Sequence, residues 1–194
     1  MGVRQLRIIE SGQYFITFTC YDWLELFDII HGYDLCYKWF QHLHSKGHAI
    51  NAYCIMPNHV HLILFLNEPK QTLNTIVGSG KRFIAYEMVT RLQMQSEHKI
   101  LSKMKASLTK SEIKRNKKHR VFEPSFDAKL ITSNRMLQEK LTYIHNNPVV
   151  SLQVLSIFPE DYEHSSASFY INGIVKNFQP VHYNENDVWA ENKI

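Results

Sequence analysis

Two histidines one residue apart, His59 and His61, lie in the apolar segment MPNHVHLILF. Residues two apart on a strand project to the same face, so the two imidazoles are predicted to point together, while Val60, Leu62 and Leu64 point into the core. Two imidazoles and one oxygen ligand suit a divalent cation that polarises a phosphate oxygen. An H-x-H pair also arises by chance in a chain with 11 histidines, so the spacing alone does not decide whether this is a metal site.

A second group of reactive side chains lies in YIHNNPV, at the end of the last predicted core helix. Tyr143 and Asn147 are four residues apart and share one helical face, beside the apolar stripe that includes Leu141 and Ile144. A tyrosine hydroxyl is a competent nucleophile toward a phosphodiester, and an asparagine oxygen is able to complete the ligand set of a histidine pair. Most tyrosines are packing residues, and an asparagine before a proline often only ends a helix, so both roles remain open on position alone.

Positive charge is concentrated between Lys99 and Arg120, where nine basic residues accompany a single acid, Glu112. The net charge of +4 therefore combines a segment of +8 with a remainder of −4. This polar segment, about residues 96–120, predicts a mobile insertion between two elements of a compact domain. Two interpretations stay open: a solvated loop without a partner, and a surface that binds nucleic-acid phosphates.

Strand and helix patterns place these residues in one fold. Strands are predicted over Tyr14–Cys20, Ile50–Met56, Val60–Leu66 and Phe126–Ile131, and helices over Tyr33–Ser45, Leu73–Met94 and a last segment that Ser133 caps and Pro148 stops. The order strand, helix, strand, strand, helix, strand is that of the ferredoxin-like unit, with one helix added after the fourth strand. We expect an α/β (α+β) two-layer sandwich with an antiparallel sheet, the histidines on a central strand and the tyrosine on the added helix.

Length and composition bound the class of protein. The 194 residues, 44% hydrophobic, suffice for one domain, predicted as residues 1–171 followed by a tail over 172–194 that is expected to be loosely held. Three cysteines without close spacing argue against a disulfide framework and a cysteine-based zinc module. No secretory signal and no stretch long enough to cross a membrane is visible, so the protein is expected to be cytoplasmic, with no membrane partner.

Taken together, the motifs resemble the single-tyrosine HUH transposases, particularly the branch associated with repetitive extragenic palindromes (REP). The resemblance covers most of the chain and rests on the joint occurrence of several segments: YFITFTCYD, NAYCIMPNHVHLILF, KRFIAYEMV, VFEPSFDAKLI, YIHNNPV and DYEHSSASFY.

The resemblance implies a mechanism. His59, His61 and Asn147 would hold Mg²⁺ or Mn²⁺, and Tyr143 would attack a phosphate of single-stranded DNA to give a 5′-phosphotyrosine bond and a free 3′-hydroxyl. Attack by a 3′-hydroxyl on that bond would later rejoin strands. The family binds imperfect hairpin DNA, and the candidate DNA contacts in this chain are Lys81, Arg82, Lys114, Arg115, Lys117, Lys118 and Arg120.

The chain departs from the family in three places. The stretch after Pro148 reads VVSLQVL where relatives have a basic, glycine-containing run, His164 stands where relatives often have tryptophan, and the insertion is longer than in short relatives. Two other functions remain as alternatives: a domesticated DNA-binding protein that no longer cleaves, and a replication initiator or relaxase of the wider HUH group. The resemblance also leaves open whether the chain acts alone or as a homodimer.

Overall fold

The computed structural model describes residues 10–151 and 154–186. Within them, four strands form one antiparallel sheet in the order β2-β3-β1-β4. The strands are β1 (Gly12–Thr19), β2 (Ala49–Ile55), β3 (His59–Leu66) and β4 (Asp127–Leu130). The helices are α1 (Leu26–Ile29), α2 (Asp34–Ser45), α3 (Leu73–Met94), α4 (His98–Ala106), α5 (Lys110–Lys114), α6 (Asn134–Val150) and α7 (Ala167–Asn172). The predicted ferredoxin-like order and antiparallel sheet are confirmed, with α6 as the added helix.

Alternation along the strands divides the core between the two faces of the sheet. On one face, side chains such as Phe18, Val60 and Leu62 pack against the apolar sides of α2 and α3. On the other face, Phe15 and Ile63 pack against α6. Helices therefore cover both faces of the sheet, and neighbouring residues along a strand point to opposite faces.

Close contact between α2 and α3 depends on a glycine. A Cβ atom on Gly80 would lie 2.2 Å from a ring atom of Trp39, so the helices approach at a position that only glycine fits. Gly78, two residues earlier, has open space around it. The core of this layer includes Cys20 and Cys36, which are buried free thiols as expected from their spacing; Cys54 is buried in the opposite layer.

The basic segment is helical, which corrects the prediction of a mobile insertion. It forms α4 and α5, and Met104 of α4 is fully buried in the core. Thr109 and Glu112 form a reciprocal capping box at the start of α5. Ile100, Leu101 and Met104 pack against the core at helical spacing, a signal that the interpretation of this segment by its charge alone did not use.

The last core helix extends beyond its predicted end. Pro148 lies inside α6, which continues to Val150. Proline at this position removes the backbone bond to the carbonyl four residues earlier without ending the helix, and its own carbonyl oxygen accepts a bond from Leu155 N at 2.8 Å.

Part of the predicted tail is packed onto the domain. Phe178 lies against the core, and its carbonyl oxygen accepts a bond from the Tyr53 hydroxyl at 2.9 Å. Asn51 interrupts the register between β2 and β3, and its side-chain amide donates to Val181 O at 2.9 Å. The expectation of loose packing is therefore wrong for residues 173–186, whereas residues 187–194 lie outside the described part. No helix in the described ranges is long and apolar enough to cross a membrane.

Candidate functional site

The paired imidazoles stand at the start of β3, on the face that α6 covers. β1 lies alongside and places Thr17 opposite His61. The rings of His59 and His61 are 4.6 Å apart between centroids, nearly perpendicular to each other. Val60 between them is fully buried on the other face. The strand therefore places both imidazoles on one side of the sheet, as predicted.

Hydrogen bonds fix which ring nitrogen is free on each histidine. His61 Nδ1 lies 2.7 Å from Thr17 Oγ1, and His59 Nδ1 lies 2.6 Å from Asn58 Oδ1. Because an amide oxygen only accepts, His59 carries its proton on Nδ1, and Nε2 keeps its lone pair. The same tautomer suits His61, whose Nε2 faces the side-chain amide of Asn147. Each imidazole thus offers Nε2 as a ligand atom.

Burial keeps both imidazoles neutral near pH 7. Desolvation lowers the pKa of His61 to about 3, with further lowering from His59 and Lys140. Desolvation likewise lowers the pKa of His59 to about 4, although a hydrogen bond between His59 and Asn147 raises it. Neutral imidazole is the form that binds a metal ion.

Helix α6 carries the other two predicted residues to the histidines. Leu137, Leu141 and Ile144 pack into the core, and this fixes the direction of the neighbouring helical face. On that face the Tyr143 ring lies 5.1 Å from the His61 ring, and Asn147 Nδ2 lies 3.2 Å from His61 Nε2. Tyr143 is 49% exposed, so part of the residue is accessible to a large substrate.

Two further side chains border Tyr143. The Phe15 ring is stacked 5.9 Å from His61 and meets Tyr143 edge-on at 5.8 Å. Lys140 Nζ lies 4.6 Å from the Phe15 ring centre and 5.7 Å from that of Tyr143. A lysine ammonium beside the tyrosine and the imidazoles attracts a phosphate anion.

Sequence reasoning missed Lys140 and Thr17. Lys140 precedes Tyr143 by three residues, and this spacing places the two side chains next to each other on one face of a helix. The sequence therefore contained a signal for Lys140. The role of Thr17 depends on the register between β1 and β3, for which the sequence offers no direct signal.

The donor set fits a cation that accepts both nitrogen and oxygen. Within the described ranges, no three His, Cys, Asp or Glu side chains gather as a metal site. An ion at the two imidazoles would therefore take its third protein ligand from Asn147. Turning the Asn147 amide by half a rotation exchanges Nδ2 for Oδ1 at the position facing His61, because the two ends of the amide have nearly the same shape.

Most of the predicted basic contacts lie around a different feature, a groove of about 800 Å³ between α3 and the 115–126 segment. α3 packs on the face of the sheet opposite to α6, so the groove and the histidines lie on different sides of the sheet. Its basic lining residues are Lys81, Arg82, Arg115, Lys117, Lys118 and His119. Arg82, Arg115, Lys117 and Lys118 have exposed side chains, as does Lys114 on α5.

Lys81 and Arg120 are engaged within the protein. Lys81 is 9% exposed, and its Nζ donates to the backbone oxygens of Glu123 at 2.8 Å and Ser125 at 3.1 Å. Burial lowers the pKa of Lys81 to about 8. Arg120 pairs with Glu112. Both side chains therefore have partners within the protein, as does Lys117, which also pairs with Glu112, and the DNA contacts of Lys81 and Arg120 stay predictions.

Comparison with known proteins gives a structural likeness without a sequence match. No protein-family model matches the chain, and no curated protein matches it. A solved structure of a REP-associated tyrosine transposase bound to a REP hairpin superposes with a TM-score of 0.62 and 16% identity, over 90% of this chain and 88% of that one. A structure from Deinococcus radiodurans R1, described as a proposed transposase, gives a TM-score of 0.43 and 16% identity, over 75% of this chain and 96% of that one. The chain therefore has the fold of a REP-associated tyrosine transposase.

Proposed function

We propose that this protein cleaves and rejoins single-stranded DNA in the manner of a tyrosine transposase, with Tyr143 as the nucleophile and a divalent cation at His59, His61 and Asn147. One observation carries the proposal: a half-exposed tyrosine lies 5.1 Å from a buried imidazole whose free nitrogen faces an asparagine amide. The fold likeness supports the same reaction class, because the structure that it matches is a tyrosine transposase bound to hairpin DNA.

The imidazole Nε2 atoms and Asn147 Oδ1 would hold Mg²⁺ or Mn²⁺. When bound, such an ion withdraws electron density from a phosphate oxygen and offsets the negative charge that develops during substitution at phosphorus. The hydrogen bonds at both Nδ1 atoms and the lowered pKa values of the two imidazoles support this assignment. Lys140 supplies a second positive charge next to Tyr143.

Tyr143 Oη attacks the scissile phosphorus. A bond forms between Oη and phosphorus, the bond from phosphorus to the 3′ oxygen breaks, and that oxygen leaves as a 3′-hydroxyl after taking up the proton that the phenol gives up. One phosphodiester is exchanged for another, so no ATP is required to reseal the strand. Attack by a 3′-hydroxyl reverses the exchange and returns the proton to Oη.

DNA is held in part by the exposed basic side chains of the groove. Arg82, Arg115, Lys117 and Lys118 are exposed cations at the groove, and Lys114 is exposed on α5, so these side chains are available to the phosphate backbone. We propose hairpin DNA with a single-stranded extension as the substrate, which agrees with the bound DNA of the matched transposase. Homodimer formation stays a prediction.

A hairpin oligonucleotide taken from DNA that flanks the gene and labelled at its 3′ end tests the proposal. With Mn²⁺, the label should become attached to the protein, and EDTA should prevent this. Tyr143→Phe should retain hairpin binding and lose the attachment. Tyr183→Phe, which removes one exposed hydrogen bond with Gln138, serves as the matched control and should behave as wild type.

A DNA-binding protein that does not cleave is the second candidate function. The fold likeness to a transposase bound to DNA is compatible with it. Wild-type protein that binds the hairpin but never retains the label, with either Mg²⁺ or Mn²⁺, would favour this candidate over the enzyme.

A further inference from the structure

Trp23 is an exposed tryptophan beside the candidate active site. Its side chain is 63% exposed, whereas Trp39 in the core is 3% exposed. The indole lies 5.7 Å from the His59 ring between centroids, with an angle of 74° between the planes. Leaving so much apolar area in water forgoes the free energy that burial would give. A large aromatic in this position is a feature to expect where a ligand covers it.

The backbone that presents this indole is strained. Asp22 and Trp23 both have left-handed conformations, with φ of 53° and 55°. Non-glycine residues rarely adopt this conformation, which persists only where the surrounding structure holds it. Strain of this kind is concentrated at functional sites.

Contacts from several parts of the chain hold the strained turn. Cys20 N donates to Asn58 O at 2.8 Å, which ties the turn to the residue just before His59. Asp22 N donates to Glu123 Oε1 at 3.0 Å, and the Asp22 carboxylate pairs with Lys103 of α4. The indole is therefore held by a fixed turn rather than by a free loop.

This turn connects the candidate active site with the basic groove. Glu123, which accepts the bond from Asp22 N, also lines the groove. Aromatic contacts then run in series from Trp23 to His59, from His59 to His61 and from His61 to Tyr143. The turn that carries Trp23 thus contacts both the residue before His59 and a residue that lines the groove.

We propose that Trp23 stacks on an unpaired base next to the scissile phosphate and is a substrate-positioning residue. The inference rests on the proposed function, because it requires a single strand at Tyr143. Stacking of a base on an aromatic side chain works with any of the four bases, because each has a flat π face. An unpaired base is the occupant because it has a free face, whereas bases within a stem are covered on both sides.

A competing explanation for the position of Trp23 is that it only shields His59 from water. Substitution by leucine distinguishes this explanation from base stacking. Trp23→Phe retains an aromatic face. Trp23→Leu retains an apolar side chain next to His59 but has no face for a base. If Trp23 only shields His59, the two variants should behave alike.

The experiment uses the same hairpin oligonucleotide with 2-aminopurine placed in turn at each position of its single-stranded extension. With wild type and Trp23→Phe, binding should quench the fluorescence at one position next to the cleavage site. Trp23→Leu should lack this quenching, and its KM for cleavage should rise about tenfold, with a smaller change in kcat. Phe158→Leu, at an aromatic that is 58% exposed, is the control and should match wild type.

Two results would overturn the inference: quenching and KM in Trp23→Leu that equal wild type, or equal losses in Trp23→Phe and Trp23→Leu when both melt at the wild-type temperature. Failure of the proposed function has a different signature. In that case wild type forms no protein–DNA attachment, whether or not quenching depends on Trp23.

Discussion

Asn147 Nδ2 lies 3.2 Å from His61 Nε2, which joins the C-terminal turn of α6 to the second residue of the histidine pair on β3. Eighty-six positions separate the two residues in the chain. The apolar side of α6 fixes this approach, because Leu141 and Ile144 pack on the same face of the sheet from which His61 projects. Tyr143, one turn earlier on the helix, is brought to His61 by the same packing.

Thr17→Val should weaken metal binding without removing a ligand. Valine has nearly the shape of threonine but cannot accept the bond from His61 Nδ1–H, so the ring loses the partner that fixes its tautomer. We expect Mn²⁺ affinity to fall by about 10- to 100-fold, measured by titration calorimetry. Thr19→Val, two residues along the same strand, is the control. Equal Mn²⁺ affinity in Thr17→Val and wild type would contradict the assigned tautomer.

Replacing Lys114, Arg115, Lys117 and Lys118 by glutamine should weaken hairpin binding and its dependence on salt. Each phosphate contact contributes about 0.7 to 0.9 to the slope of log affinity against log salt, so the slope should fall by about 3. The control replaces the exposed cations Lys46, Lys70, Lys129 and Arg135, which lie outside the basic segment. An unchanged slope in the first variant would exclude this segment from DNA binding.

Gly80→Ala and Gly78→Ala should change stability in opposite directions. At position 80 the new methyl group meets the Trp39 ring, and overpacking of this kind costs about 1–3 kcal/mol. At position 78 the methyl group has open space, and alanine in a helix is about 0.5–1 kcal/mol more favourable than glycine. Urea unfolding measures both. Equal destabilisation by the two variants would contradict the close approach of α2 and α3.

Lys81 should affect the pH dependence of stability rather than DNA binding. Its pKa of about 8 in the folded state is below that of an exposed lysine, about 10.4. Between these values the unfolded chain binds more protons, so this residue makes stability rise with pH. The free energy of unfolding of wild type relative to Lys81→Met should therefore increase from pH 8 to pH 10. Hairpin affinity should be equal in wild type and Lys81→Met. A difference in unfolding free energy that stays constant from pH 8 to pH 10 would show that the ammonium is not buried as described.

Much of the fold was predictable because its signals are local. Period-two alternation around His59 identified the strand and the direction of both imidazoles, and the spacing of Leu137, Leu141 and Ile144 identified the helical face beside Tyr143. Neither signal depends on residues far away in the chain. The confirmed order of strands follows from these elements and their connections.

The features that the sequence did not predict depend on contacts between segments far apart in the chain. Thr17 meets His61 through the pairing of two strands, and Lys81 is buried because carbonyl groups more than 40 residues later surround its ammonium. The helices of the basic segment lie against a core that receives Met104 from α4, with Ile100 and Leu101 packed beside it. Such partners are not visible in the pattern of the segment itself.

The most direct test of the central claim is to locate the covalent bond between protein and DNA. Wild type is incubated with the hairpin oligonucleotide and Mn²⁺, then digested with protease and nuclease, and the peptides are analysed by mass spectrometry. The account predicts a nucleotide 5′-phosphate on the peptide that contains Tyr143, and on no other tyrosine. Attachment through a different residue, or cleavage by wild type without any attached nucleotide, would contradict it.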